Sequence, residues 1–153
     1  MKVILHASDS KFGNAALLAL WHGLPKPRGR GWNGIGYHLV ILNGWLTSKL
    51  FNKFFDGKLE TGRPLDDDSL LTPGEFGAHT LGKNFDSVGI CLIGESGQFS
   101  EAQYSCLINI ALPLLRKLFG PLQISQHSDH DSRKPLCAGL SDQYIKELND
   151  LFG

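Results

Sequence analysis

Residues 87–94, S-V-G-I-C-L-I-G, form a continuous apolar run bounded by glycine. A strand alternates its side chains between two faces, so a solvated face would show polar positions within the run. Their absence predicts a strand buried on both faces. Such a strand needs a neighbour on each edge and cover on each face, which selects an α/β architecture: a sheet with helices packed on it. Cys91 inside the run reads as a small core residue.

The remaining elements can be placed around this strand. Residues 3–5 predict a second buried strand, ending on His6, at the strand end where α/β proteins commonly place their sites. Residues 14–24 predict a helix from their alanine and leucine content, stopped by Gly23 and Pro25. His22 near its end reads as a surface or C-terminal helix residue. Residues 25–34, P-K-P-R-G-R-G-W-N-G, form a cationic loop that offers Trp32 as a stacking face. Residues 35–42 have the strongest strand composition. They include Tyr37-His38, only one of which can face a given site. Asn43-Gly44 reads as a turn. The aromatic and basic segment 45–55 is either an inserted excursion of the sheet or a surface loop. Asp56-Gly57 reads as a further turn, and residues 58–61 as a short strand closing a hairpin.

Residues 64–85 form a long irregular stretch, usually functional or mobile in a compact domain. Asp66-Asp67-Asp68 within it reads as a turn or cap, not a metal site. Ser100 and Gln103 form a capping box opening a helix to about Phe119, in which Pro113 predicts a kink or break near the preceding turn. A short strand follows at 122–125, and Ser141 caps a last helix at 142–152. The order is strand, helix, three strands, helix, strand, helix. A single sheet flanked by helices, in one domain spanning residues 1–153, accommodates it.

Fifteen Lys and Arg balance fifteen Asp and Glu. The absence of a basic excess argues against nucleic acid as the main partner. Three widely spaced cysteines do not suit a disulfide framework and point to a reducing compartment. Residues 1–6 hold no long apolar segment, so neither a signal peptide nor a membrane segment is expected. The protein is then made in the cytoplasm and needs another exit route to act outside it.

Residues 125–139, S-Q-H-S-D-H-D-S-R-K-P-L-C-A-G, concentrate two histidines, two aspartates, a lysine and a cysteine. His127 and Cys137 offer donors suited to zinc. With His6 they make three candidate donors on separate segments, the number a catalytic zinc takes when one position stays open. There is no H-E-x-x-H pair and no paired C-x-x-C, so neither the zinc-protease helix nor a zinc finger is present as a local motif. Spacing alone leaves the set open. His130 competes with His127 and reads as solvent-facing.

Seven motifs then occur in order: V-I-L-H-A-S at 3–8, G-I-G-Y-H at 34–38, E-T-G-R at 60–63, G-A-H at 77–79, G-K-N at 82–84, the buried run at 87–94 and C-A-G at 137–139. Together they resemble the type 2 N-acetylmuramoyl-L-alanine amidases. That family includes amidase-type phage lysozymes and is related to the peptidoglycan recognition proteins. The resemblance runs through most of the chain. It implies a single mixed sheet flanked by helices and a hydrolase using one Zn2+ per chain. The bond cut would be the amide between the lactyl group of N-acetylmuramic acid and L-alanine. His6, His127 and Cys137 match the metal ligands. Tyr37 matches the tyrosine whose phenol would hydrogen-bond the attacking water or the oxyanion. Lys134 is the nearest match to the lysine that would steady the tetrahedral intermediate. His79 and Asn84 fall in motifs expected beside the substrate. His38 should point away from the site, and Asp129 should order the loop.

The chain departs from the family pattern at three places. Gln126 replaces the glycine before the second histidine. Ala138 replaces the proline after the cysteine. Lys134 lies three positions before Cys137, with Pro135 at the usual position and Arg133 as a second cation. The resemblance implies an endolysin, expected to be a monomer, acting on peptidoglycan or muropeptides of the cell wall after release. The alternatives are a cytoplasmic muropeptide-recycling amidase and a non-catalytic peptidoglycan-binding module. Recycling enzymes carry aspartate as third ligand and glutamate for the tyrosine, so Cys137 and Tyr37 speak against the first. The retained Cys137 speaks against the second.

Overall fold

The computed structural model describes all 153 residues. The elements are β1 (Lys2–Ala7), α1 (Ala15–Gly23), β2 (Leu39–Trp45), β3 (Phe51–Thr61), β4 (Ser87–Leu92), α2 (Glu101–Cys106), α3 (Leu112–Phe119), β5 (Gln123–Gln126) and α4 (Asp142–Phe152). The strands form one sheet in the order β3-β2-β4-β1-β5. β4 is central, as its apolar run requires, and all six of its residues are buried. It pairs in parallel with β1 and β2, β1 pairs in parallel with β5, and only β3 runs antiparallel. The sheet is therefore mixed.

Side-chain alternation divides the core in two. Val3, Leu5, Leu39, Ile41, Val88, Ile90 and Leu92 share one face with Leu107, Leu112, Leu115 and Leu148 from the C-terminal helical region. Val40, Leu42, Cys91 and Ile93 share the other with Leu18 of α1. Fully burying one such side chain contributes roughly 1.5–3 kcal/mol. His6 and Val40 are both in register with Cys91, which places His6 on the α1 face. Asn14 caps α1 by accepting the Leu17 N–H at 2.8 Å. Its single helix packs over β2 and β4, so the β1–β5 side of that face is left for other groups.

Several expectations change in detail. Asn43-Gly44 is not a turn but lies inside β2 at a bulge, where the pairing with β3 slips between Ile41, Asn43 and Trp45. Gly44 adopts φ 82°, a left-handed conformation that favours glycine. The chain turns later, where the Leu46 N–H donates to the Leu50 carbonyl at 2.9 Å and Thr47 Oγ1 accepts the Lys49 and Leu50 N–H groups. Asp56-Gly57 likewise lies within β3. A Cβ on Gly57 would stand 2.6 Å from the Ala102 carbonyl oxygen, so glycine lets β3 approach α2. Segment 45–55 is thus an excursion of the sheet that lengthens the β2–β3 hairpin. β2 becomes regular only at Leu39, after Tyr37 and His38.

The helix from Ser100 does not break at Pro113. A π-helical turn, Leu107–Ala111, joins α2 to α3 and absorbs the backbone disturbance ahead of the proline. Gly120, at φ 75°, ends α3.

Residues 64–85 are ordered by Glu75, which pattern reading passes over. Its carboxylate accepts the N–H groups of Asp66 and Thr72 and the Thr72 hydroxyl, each at 2.8 Å. Asp66 and Asp68 accept N–H groups two residues on, as a turn reading expects. The Asp66 and Thr72 donors hold the Glu75 carboxyl below its ordinary range. A depressed folded value means stability that is present above the unfolded carboxylate value of about 4.3 and lost as pH falls through the folded value. Glu75→Gln should therefore cost about 1–3 kcal/mol at neutral pH. Urea midpoints of the two proteins should converge as pH falls below about 4; a constant gap would refute the assignment.

Candidate metal and catalytic site

His6 lies near the carboxyl end of β1 and is 1% exposed. β5 pairs with β1 so that Gln126 stands beside Leu5, and His127 follows at the start of a 3-10 turn, His127–Asp129. The register therefore sets His127 beside His6, with ring centroids 4.5 Å apart.

The third donor comes from a loop that must fold back. Gln126 provides the clamp: its side-chain Nε2 donates to the Leu140 carbonyl and its Oε1 accepts the Leu140 N–H, both at 3.0 Å. Glycine at this position could do neither. Asp129 accepts the Gln126 N–H at 2.9 Å and closes the turn. The Ser128 N–H donates to the Cys137 carbonyl, and the Gly97 N–H to the Ala138 carbonyl at 2.9 Å. The Ala7 N–H points at Cys137 Sγ at 3.4 Å. One donor atom from each of His6, His127 and Cys137 then lies within 4.8 Å of the others. A tetrahedral zinc with ligand bonds of 2.0–2.3 Å separates its ligand atoms by about 3.5 Å, so little closure is needed.

Hydrogen-bond partners fix the tautomers behind this cluster. The Ser87 carbonyl can only accept, so His79 Nε2, 3.4 Å away, carries the proton. His79 Nδ1 is then an acceptor. His6 Nε2, 3.1 Å from it, must donate. The lone pair of His6 is left on Nδ1, which has no hydrogen-bond partner in the protein. Thr80 Oγ1 flanks both rings, at 3.1 Å from His79 Nδ1 and 3.4 Å from His6 Nε2. Burial, then the neighbouring His79 and His127, keeps the His6 imidazole well below its ordinary value. Burial first, then His38, lowers His79 to about 3. Both rings are neutral at physiological pH.

His79 is thus a buried partner of His6, not a wall of an open cleft. A buried imidazole N–H requires an acceptor, and His79 supplies it. Its ring lies flat enough on the sheet that a Cβ on Gly89 would stand 2.6 Å from its Cγ. Glycine in the central strand makes that room. Asn84 is also turned inward: its Oδ1 accepts the N–H groups of His79 and Thr80 at 2.8 and 2.9 Å. His79 is thereby engaged with His6, whereas the Asn84 Nδ2 has no partner within the protein.

Tyr37 packs its half-buried ring against His6, with centroids 5.0 Å apart. Burial, then Cys91 and Cys137, pushes its phenol well above the ordinary value, so it remains a donor. His38 points elsewhere, accepting the Gly89 N–H at Nδ1 and donating from Nε2 to the Glu75 carbonyl. His22 is buried, contrary to a surface reading. Its Nδ1 accepts the Gly36 N–H at 3.0 Å, and its ring touches Trp32 and Tyr37. It ties the end of α1 to the segment carrying Tyr37. His130 is exposed and bonds Ser125 Oγ at 2.8 Å, apart from the cluster.

The two cations separate clearly. Arg133 donates to both carboxylate oxygens of Asp131, from Nε and Nη2, at 2.9 Å. Arg133 in turn holds the Asp131 carboxyl down to about 2. Lys134 makes no hydrogen bond or ion pair through its ammonium; burial first, and then Lys134 against the opposing pull of Asp131, lowers His127. Burial, outweighing the Ala7 N–H and Lys134, raises the Cys137 thiol. A cation among these donors would reverse that balance and favour the thiolate. Asp131 Oδ2 lies 3.9 Å from His127 Nε2. This carboxylate was not singled out by spacing; only the turn that folds 127–131 into one coil reveals it.

No protein-family model matches the chain. The endolysin of Enterobacteria phage T3 is 30% identical over 138 residues, covering 86% of this chain and 73% of that protein. The N-acetylmuramoyl-L-alanine amidase LysC from Clostridium intestinale URNW superposes with a TM-score of 0.69 at 21% identity, over 98% of this chain and 83% of its own. Peptidoglycan recognition protein-LE, solved in complex with tracheal cytotoxin, a monomeric diaminopimelic acid-type peptidoglycan, superposes with a TM-score of 0.65 at 20% identity, over 95% and 78%. The structural likenesses establish the fold, and the endolysin relative adds sequence kinship across most of both chains. The chain belongs to the phage endolysin family, on the fold shared by N-acetylmuramoyl-L-alanine amidases and peptidoglycan recognition proteins.

Proposed function

We propose that the protein is a zinc-dependent N-acetylmuramoyl-L-alanine amidase, an endolysin that hydrolyses the amide between the lactyl group and L-alanine in peptidoglycan of the cell wall. The observation that carries this reading is the convergence of His6, His127 and Cys137 within 4.8 Å beside the Tyr37 ring. Two neutral imidazoles and a thiol make a donor set suited to zinc, and His6 presents a free lone pair on Nδ1. Zinc held there would supply Lewis-acid polarisation of the scissile carbonyl and an acidified water.

The chain's own groups complete the chemistry. Tyr37, protonated at neutral pH, donates a hydrogen bond to charge developing on the carbonyl oxygen. Lys134, the cation not held by a carboxylate, provides positive charge for the tetrahedral intermediate. His79 orients His6 from behind, as the outer partner of a ligating histidine does, and the Asp131 carboxylate adds negative charge 3.9 Å from His127 Nε2. No helix is long and apolar enough to cross a membrane. The peptidoglycan fragment bound by the structural neighbour supports muropeptides as the ligand class.

Digestion of purified peptidoglycan followed by mass spectrometry should show release of stem peptides beginning with free L-alanine, and a chelator should abolish it. Products with intact muramoyl–alanine bonds would sink the reading. Metal analysis should give one zinc per chain in the parent protein and a large loss in Cys137→Ala; full retention would mean that the ligand set is wrongly drawn. Tyr37→Phe should keep the zinc while kcat falls about 10²-fold or more. His79→Ala should weaken zinc binding about 10–100-fold in a competition titration, and unchanged affinity would remove it from the site.

A further inference from the structure

Beyond the His6–His127–Cys137 cluster, the segments at the carboxyl ends of β1, β2 and β4 border an open cavity of about 760 Å³. That volume is within the about 300–1,000 Å³ of small-molecule sites. Two tryptophans line it, Trp21 from α1 and Trp45 from the hairpin excursion, together with Phe12. Each indole is backed by a phenylalanine: Trp21 by Phe12 at 6.1 Å between centroids, and Trp45 by Phe51 at 5.2 Å. Such backing holds the rings as preformed faces. Trp45 is 42% exposed, so its face is accessible.

Part of the polar lining is unspent. Asp9, Glu95 and Gln98 also border the cavity, and none makes a side-chain hydrogen bond within the protein. Two carboxylates against one ammonium, Lys11, disfavour an anionic ligand. They suit a neutral one that carries hydroxyl donors. A pyranose ring has an apolar C–H face to lay on an indole and a rim of hydroxyl and N-acetyl groups to meet carboxylates and an amide. The cavity also adjoins the metal cluster through two short connections. Asp9 follows Ala7, whose N–H meets Cys137 Sγ, by two residues. Gly97, between Glu95 and Gln98, bonds the Ala138 carbonyl.

We propose that this cavity is a saccharide subsite, in which Trp21 and Trp45 stack on N-acetylhexosamine residues of the glycan strand flanking the muramic acid whose amide is cut. Its biological meaning rests on the amidase reading, but its binding does not. The glycan is a polymer that extends past the cleaved bond, and the lengthened β2–β3 hairpin adds the Trp45 wall to meet it.

The test uses the full chain and a ligand that no amidase of this kind can hydrolyse, the β-1,4-linked tetramer of N-acetylglucosamine. In a ¹H–¹⁵N titration the three tryptophan indole N–H signals report separately. Those of Trp21 and Trp45 should shift saturably while that of Trp32, outside the cavity, stays in place. Trp45→Ala should weaken the binding about tenfold. Gln98→Ala, at an exposed position, should weaken it as well and covers the case in which the tryptophan variant does not fold. Absence of saturable binding, shifts confined to Trp32, or undiminished affinity in both variants would overturn the subsite. Failure of the protein to cut peptidoglycan would leave these readouts intact, so the two readings fail separately.

Discussion

A buried imidazole N–H without an acceptor would cost about 1–3 kcal/mol, and the His6–His79 contact removes that cost. Much of the surrounding structure follows from accommodating it. His79 can reach His6 only by lying on the sheet, which requires glycine at position 89 in the central strand. Its backbone must be held there, and Asn84 does so through two N–H groups. The loop carrying both is anchored upstream by Glu75, whose carbonyl receives the His38 proton. The motifs at 77–79, 82–84 and 87–94 are thus parts of one support under the first metal-ligand candidate.

The second and third candidates depend on a different device. β5 in register with β1 delivers His127, but Cys137 is ten residues further and needs the Gln126–Leu140 pair of bonds to bring it home. Gln126, a departure from the family pattern, is the residue that ties this loop. The same turn sorts the charges. Asp131 binds Arg133 in a two-pronged pair and leaves Lys134 as the available cation.

The fold class was legible in the sequence because a buried central strand leaves few alternatives, and the continuous run at 87–94 states that burial directly. His6, His127, Cys137 and Tyr37, singled out by motifs at distant positions, are residues that the fold brings together. What was not legible depends on contacts distant in sequence. Asn43-Gly44 and Asp56-Gly57 have the composition of hairpin turns, yet both sit in bulges, because the hairpin extends beyond them and strand pairing overrides local turn preference. His22 has a helix-end position in sequence, but only the folded chain shows Gly36 donating to it. For His79 and Asn84 a motif records that each residue is constrained, while the His6 contact and the bonds to the His79 and Thr80 N–H groups are visible only in the folded chain.

The two faces of the sheet carry different burdens. The face under α2, the π turn, α3 and α4 holds the larger core cluster, while the α1 face holds the histidines and the cavity. β4 contributes alternate residues to the two clusters. Substitutions on the two faces that share no contact should therefore combine additively in their effect on stability. For anyone reshaping the protein, the helical side is a reserve. Stabilising changes there can offset the loss expected when the opposite face is altered for a new ligand.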